Sequence, residues 1–128
     1  MLQNCVDLWN SLGIHYEVVN ICTGDMGTVA AKKYDLEAWI PGADQYKEIV
    51  SCSNCTDYQA NRLSIRYGQP GHPNQPIVHT LNSTAVATSR ALVAIMEQYQ
   101  LDDGRVAVPD VLQPYMDGQT VLEPCNWG

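Results

Sequence analysis

A run of small and hydroxylated residues leads into a predicted helix and reaches an arginine in the helix's first turn. The run is Asn82-Ser83-Thr84-Ala85-Val86-Ala87-Thr88-Ser89-Arg90. A cation at this position opposes the helix macrodipole, whereas the free N–H groups of a helix start attract an anion. A guanidinium beside such N–H groups binds phosphate, and small side chains let a ligand approach the backbone. The segment therefore predicts a phosphate site at Arg90. The alternative is an exposed arginine on a capped surface helix.

Glu48 and Ser51 form a second cluster, on a predicted strand. A carboxylate and a hydroxyl are hard oxygen donors that suit Mg²⁺, which takes one or two protein ligands and completes its shell with phosphate and water. Residues three apart on a regular strand point to opposite faces, so both reach one ion only where a bulge or the strand's end intervenes. The alternative is a glutamate paired with a lysine or arginine on a solvent-facing surface.

The cysteines predict free thiols. They are an odd number spread over the whole chain, unlike the dense, even framework of a small secreted protein: Cys5, Cys22, Cys52, Cys55 and Cys125. Cys52 and Cys55 form a C-x-x-C pair, which is typical of redox or zinc chemistry. Because no second close pair of Cys or His completes four zinc ligands, packed thiols are the favoured interpretation.

Hydrophobic patterning predicts the elements that position these residues. Helical spacing of apolar residues predicts helices over 2–12 and 88–101, where Leu92, Ile95, Met96 and Tyr99 recur. A short helix is expected to begin within 56–60. Alternation or β-branched content predicts strands over 15–22, 34–40, 46–53, 62–67, 77–81 and 105–108.

Three further expectations follow from the same patterns. Strands 34–40 and 46–53 are expected to pair as an antiparallel hairpin, with Asp35, Glu37 and Trp39 on the face opposite the apolar one. Leu63, Ile65 and Tyr67 are expected to face inward. The proline- and glycine-rich segment 68–76 is expected to be a surface loop, and 111–116 a short terminal piece. Short turns between most strands favour an α+β fold, with an antiparallel or mixed sheet covered by helices.

Composition narrows the class of protein. The chain has 128 residues, 45% hydrophobic and 16% charged, which predicts one packed domain. With 14 acidic against 7 basic residues and a net charge of −7, the chain as a whole is a poor partner for nucleic acid. Apolar runs are too short for a membrane span, which needs roughly 18 to 20 residues. A soluble protein without a signal peptide is expected.

Five colinear blocks resemble the C-terminal part of the catalytic domain of seryl-tRNA synthetases, a class II aminoacyl-tRNA synthetase family. The blocks cover essentially the whole chain and lie at 22–27, 30–39, 51–60, 79–82 and 108–116. The resemblance implies a mainly antiparallel sheet flanked by helices. It also implies that residues 1–128 are the C-terminal portion of a class II catalytic domain, with the second motif and the tRNA-binding arm outside this chain. Under it, the C-x-x-C pair is part of a strand-to-helix block.

Site roles follow from the resemblance residue by residue. Glu48 matches a glutamate that holds ATP and its Mg²⁺, and Ser51 a serine at the same metal. Arg90 matches the arginine of the third motif, which binds the ATP tail. Asn82 and Thr84 match residues of the pocket for serine. Family members often carry glycine at the positions of Ser83 and Ser89, and a pair of arginines at Asn61-Arg62.

The implied function is activation of serine with ATP and Mg²⁺, followed by transfer to tRNA(Ser). The implied partners are serine, ATP, and tRNA(Ser) bound mainly through upstream regions; the implied setting is a homodimer in the cytoplasm, without a membrane. The isolated chain is expected to be inactive because half of the ATP site lies upstream. The alternative is a non-catalytic, synthetase-like remnant that binds a nucleotide or a protein partner.

Overall fold

The computed structural model of this chain describes residues 1–125. The regular elements in chain order are α1 (Leu2–Ser11), β1 (Tyr16–Asn20), β2 (Lys32–Ile40), β3 (Gln45–Thr56), α2 (Tyr58–Leu63), β4 (Thr80–Ser83), α3 (Thr88–Gln98), β5 (Val106–Ala107) and β6 (Val121–Leu122). Short 3-10 helices occupy Pro41–Ala43 and Asp110–Met116. Residues 126–128, which the predicted domain includes, lie outside the described residues.

An antiparallel sheet organises the fold. Its strands lie in the order β1-β2-β3-β4, and β5 pairs separately with β6. All neighbouring strands of the larger sheet run antiparallel, and β2 and β3 form the expected hairpin. The predicted α+β architecture is therefore confirmed.

One apolar cluster joins α1 and α3 to the sheet. Trp9 of α1 is completely buried, as are Leu36 of β2 and Ala94 of α3. The indole N–H of Trp9 donates a hydrogen bond to the Ala85 carbonyl at 3.1 Å. The indole N–H of a buried tryptophan usually has such a partner, because an unpaired buried donor costs free energy. The contact fixes α1 against the turn that precedes α3.

The predicted end of the first helix is confirmed at Gly13, which has a φ of +67° that favours glycine. A Cβ atom at Gly13 would lie 2.5 Å from the Tyr99 hydroxyl oxygen. That hydroxyl donates a hydrogen bond of 2.7 Å to the Leu12 carbonyl. The glycine thus lets the residues after α3 approach the end of α1.

The predicted strand over 62–67 is wrong. Helix α2 continues through Leu63, and Ser64 ends it in the left-handed region with a φ of 55°. Leu63, Ile65 and Tyr67 are 69%, 41% and 58% exposed rather than inward. Alternation over six residues does not identify a buried face when no neighbouring element covers it. The following segment 68–76 is an exposed loop, as expected, and β4 begins at Thr80 rather than at residue 77.

Helix α3 is confirmed, although it ends at Gln98 and only part of its large apolar set contacts the core, namely Ile95 and, just after the helix, Tyr99. Ala91 and Ala94 face the core, while Leu92 and Met96 are 58% and 47% exposed. Small residues allow the helix to approach β2 closely, and this contact decides which side is buried. Across residues 1–125, no helix has the length and apolar character to span a membrane.

Candidate active site

A bulge in β3 brings Glu48 and Ser51 onto one face of the sheet. In the register with β2, Leu36 pairs with Val50, and the next residue, Glu37, pairs with Glu48. Ile49 is therefore the extra residue, and Ile49 and Val50 are both buried in the core. On a regular strand Glu48 and Ser51 would point to opposite faces. The bulge removes that obstacle, so both oxygen donors can reach one ion.

Arg90 contacts Glu48 directly. Its guanidinium Nη1 donates to the Glu48 main-chain carbonyl at 2.9 Å and to the carboxylate Oε1 at 3.0 Å. The two side chains are 55% and 40% exposed. Glu48 therefore forms the ion pair expected in the alternative interpretation, and its partner is Arg90, the residue of the predicted phosphate site. Both side chains are therefore accessible to a ligand.

The start of α3 keeps its N–H groups available. Its N-cap is Ala87, and within residues 1–125 no side chain caps this end of the helix. Arg90 lies in the first turn, as predicted, so a cation and uncapped N–H groups share one helix start. The side-chain cap expected in the alternative interpretation is therefore wrong, whereas the exposure that it expected for Arg90 is observed. Ser83 and Ser89 are not among the residues with positive φ, so serine is compatible with the backbone where the family often carries glycine.

Thr84 and Asn82 lie beside Ser51. The Thr84 backbone N–H donates to the Ser51 carbonyl at 3.2 Å, which extends the sheet contact beyond β4. Asn82 and Ser51 line one cleft of about 270 Å³, together with Lys33 and Ser53. Asn82 and Thr84 are exposed, and Ser51 is half-buried.

A second cleft lies at the other end of the site. It has a volume of about 470 Å³ and is lined by Glu48, Arg90, Lys47 and an apolar wall that includes Val93. The structure thus brings Glu48 together with Arg90, and Ser51 with Asn82 and Thr84. Strand β3 connects the two groups.

Sequence reasoning missed an ion pair on the face of the sheet that carries Glu48 and Ser51. Asp35 is only 3% exposed, and its Oδ2 lies 3.0 Å from Lys33 Nζ. Burial lowers the pKa of Lys33, but the hydrogen bond and charge of Asp35, aided by Glu48, outweigh it and leave the pKa raised. A lysine and an aspartate two apart on one face of a strand were the available signal.

Acidic side chains crowd the same face. Glu37 lies between β1 and β3 in register with Glu17 and Glu48. Burial raises the pKa of Glu37, and the charges of Glu17, Asp35 and Glu48 raise it further. A divalent cation would relieve this repulsion.

The cysteines are free thiols. Cys55 is buried beside Ser53 in the Ser51 cleft, whereas Cys52 lines a different cleft with Tyr34. Across residues 1–125, His, Cys, Asp and Glu side chains do not gather in a group of three or more suited to a metal. A Mg²⁺ ion that shares its shell with phosphate and water needs one or two protein ligands, which Glu48 and Ser51 can supply.

Comparisons with known proteins place this arrangement in context. Residues 1–99 match the family model described as tRNA synthetase class II core domain (G, H, P, S and T). A serine–tRNA ligase of Archaeoglobus fulgidus is 58% identical over 118 residues, which are 91% of this chain and 26% of that protein. One of Methanocorpusculum labreanum is 58% identical over 124 residues, 95% of this chain and 29% of that protein.

Solved structures agree with the sequence comparison. Seryl-tRNA synthetase from Pyrococcus horikoshii complexed with ATP superposes with a TM-score of 0.91 at 54% identity, over 98% of this chain and 28% of that one. Cytoplasmic serine–tRNA ligase from Naegleria fowleri in complex with AMP gives a TM-score of 0.91 at 51% identity, over 98% and 30%. The chain therefore spans about a quarter to a third of the length of these relatives.

Proposed function

The chain belongs to the class II tRNA synthetase core domain family, and from this premise we propose that it forms part of a serine–tRNA ligase. The activity proposed is ATP-dependent activation of serine, followed by transfer of the seryl group to tRNA(Ser). The observation that carries the proposal is the contact between Arg90 and Glu48 at the uncapped start of α3. Identity of 58% to serine–tRNA ligases supports the choice of amino acid.

The charge distribution supports an anionic ligand. The chain carries a net charge of −7, yet Lys47 and Arg90 line the cleft beside Glu48, where the ion pair of Arg90 is exposed. Arg90 would leave the carboxylate of Glu48 for the ATP tail, since both side chains are half-exposed and an exposed ion pair contributes only about 0–1 kcal/mol. Glu48 and Ser51 would then hold Mg²⁺. When bound, Mg²⁺ supplies positive charge to the phosphates.

In the proposed first step, a serine carboxylate oxygen attacks the α-phosphorus of ATP. The new oxygen–phosphorus bond forms as the bond to the β-phosphate bridging oxygen breaks, and pyrophosphate leaves. Arg90 and the N–H groups at the start of α3 stabilise the charge on the leaving group. In the second step, a ribose hydroxyl of tRNA attacks the seryl carbonyl carbon, and AMP leaves.

Asn82 and Thr84 are proposed to select serine. Both side chains are exposed beside Ser51, and the Thr84 hydroxyl would hydrogen-bond the hydroxyl of the substrate. A pocket that pairs with a hydroxyl rejects alanine because its own polar groups would be left without partners. As in the family resemblance, tRNA(Ser) contacts are proposed to lie mainly upstream, in a cytoplasmic homodimer.

Serine-dependent exchange between ATP and pyrophosphate tests the proposal. We expect no exchange from the isolated chain, and exchange once the chain is joined to the upstream portion of the Archaeoglobus fulgidus relative. In the joined protein, Glu48→Ala and Arg90→Ala should each lower the rate by a factor of about 100 or more. Arg90→Ala removes a positive charge beside the leaving pyrophosphate, and Glu48→Ala removes a proposed ligand of the Mg²⁺ that would neutralise it.

The control for a lost surface charge is Arg105→Ala. Arg105 pairs with Asp103 at 2.8 Å, away from both clefts, so this variant should exchange normally. Strong exchange by the isolated chain would contradict the expected need for the upstream portion. ATP binding by calorimetry without exchange in the joined protein would favour the non-catalytic remnant instead.

A further inference from the structure

The carboxylate of Asp35 has one free oxygen beneath the proposed metal site. Its Oδ2 pairs with Lys33 Nζ, whereas Oδ1 is closed to solvent and has no hydrogen-bond partner within residues 1–125. Buried carboxylate oxygens are ordinarily satisfied because desolvation without a partner is costly. An unsatisfied oxygen at the centre of an acidic face indicates a partner that the ligand-free arrangement does not provide.

Ser51 is the side chain placed to become that partner. It pairs directly with Asp35 in the register of β2 and β3, so both side chains point to the same face. Directly opposed residues on antiparallel strands have Cβ atoms about 4.5–5.5 Å apart, within the reach of a rotating hydroxyl. Glu48 lies on the same face because of the bulge at Ile49.

We propose that Asp35 is a positioning residue of the metal site: its free oxygen accepts a hydrogen bond from the Ser51 hydroxyl and so turns the lone pairs of that hydroxyl toward the cation. This inference rests on the proposed function, since it assumes that Glu48 and Ser51 hold Mg²⁺. Partners of this kind fix the orientation of a metal ligand.

The contact with Lys33 makes Asp35 suited to positioning Ser51 rather than to binding the metal ion itself. The ammonium holds Oδ2 at 3.0 Å and balances the buried negative charge. Because Oδ1 is closed to solvent, a hydrated cation cannot reach it directly. A hydroxyl on the neighbouring strand can, since it approaches from within the sheet.

Asp35→Asn tests the orientation. Lys33 would hold the amide oxygen, which leaves the amide NH₂ facing Ser51. That group would donate to the hydroxyl oxygen and compete with the cation for its lone pairs. We expect this variant to bind Mn²⁺ in the presence of ATP about tenfold more weakly, measured by electron paramagnetic resonance on the chain joined to the upstream portion of the Archaeoglobus fulgidus relative.

A double-mutant cycle separates positioning from direct binding or folding. Ser51→Ala should also weaken Mn²⁺ binding, and adding Asp35→Asn to it should weaken binding no further, within a factor of about two. The matched control is Glu37→Gln, which removes a charge from the same face of β2. Its effect should be the same with Ser51 and with Ala at that position.

The outcomes are distinct. If Asp35→Asn weakens binding equally in the Ser51→Ala background, Asp35 does not act through Ser51 and the inference fails alone. If the joined protein without these substitutions binds no Mn²⁺ with ATP, the proposed metal site is wrong and the inference fails with it. A crystal structure with Mn²⁺ and ATP should show Ser51 Oγ within about 3.0 Å of Asp35 Oδ1. A separation that excludes this hydrogen bond would overturn the inference even if the variants do not fold.

Discussion

Arg90 binds one partner residue at two oxygens, one on the main chain and one on the side chain of Glu48. The main-chain contact ties the arginine to β3 irrespective of the state of the carboxylate. The carboxylate contact is half-exposed and therefore weak. A phosphate can displace the carboxylate contact without moving α3, and the main-chain contact then keeps the guanidinium close to the proposed phosphate site.

Glu37 makes the stability of the chain depend on pH. Its folded-state pKa is raised by burial and by Glu17, Asp35 and Glu48 above the ordinary value of 4.5. Protonated Glu37 therefore contributes to the free energy of unfolding fully below pH 4.5, and this contribution is lost as the pH rises through the folded-state pKa. Glu37→Gln should raise the free energy of unfolding at pH 7 by about 0.5–1 kcal/mol, because it removes the like-charge repulsion. Urea denaturation should show this gain shrinking toward pH 4.5.

The control for that experiment is Glu123→Gln. Its side chain is 73% exposed, so the free energy of unfolding should change little at either pH. An equal gain from Glu37→Gln at both pH values would contradict the electrostatic account, as would a loss at pH 7.

At the scale of elements, local patterns predicted what each segment is, and tertiary contacts decided which way it faces. Alternation in β2 identified the strand and its buried side, and periodicity identified α3. The bulge at Ile49 depends on pairing with β2, and the burial of Asp35 depends on Lys33. No local pattern in the sequence of β3 indicates how this strand pairs with β2. The candidate residues were therefore predictable, but their position on a common face was not.

The buried side of α3 can be tested by substitution. Ala94 is completely buried, so Ala94→Leu should lower the free energy of unfolding by about 1–3 kcal/mol through overpacking. Met96→Gln, on the exposed side, should change it by less than about 0.5 kcal/mol, since the two residues have similar helix propensities. Chemical denaturation of both variants measures the difference. A larger loss from Met96→Gln than from Ala94→Leu would mean that the side carrying Leu92 and Met96 is the packed one.

At the scale of the whole molecule, one core connects segments that are distant in the sequence. The cluster combines residues of α1, β2, β3 and α3. Trp9 and Ala85 are 76 positions apart, yet a hydrogen bond joins them. Contacts of this range make the sheet and both helices interdependent, so partial loss of α1 would expose the core beneath α3.

We therefore expect one cooperative transition. In a Trp39→Phe, Trp127→Phe background, fluorescence comes from Trp9 alone and reports the junction of α1 with the turn before α3. Its urea midpoint should coincide with that of far-ultraviolet circular dichroism, which reports all helices and strands. A fluorescence transition at distinctly lower urea would show that α1 separates before the sheet unfolds.

The bulge in β3 makes this strand sensitive to changes of length more than to changes of residue type. Adding one codon between Glu48 and Ser51 would keep the reading frame and the bulge, yet would turn one of the two oxygen donors toward the core. Removing one codon would leave both donors on one face of a regular strand, but it would delete one of two buried core side chains. Substitutions at Ile49 that retain bulk would leave the count intact. Small insertions and deletions should therefore be tolerated in the exposed loop 68–76 and eliminated between Glu48 and Ser51.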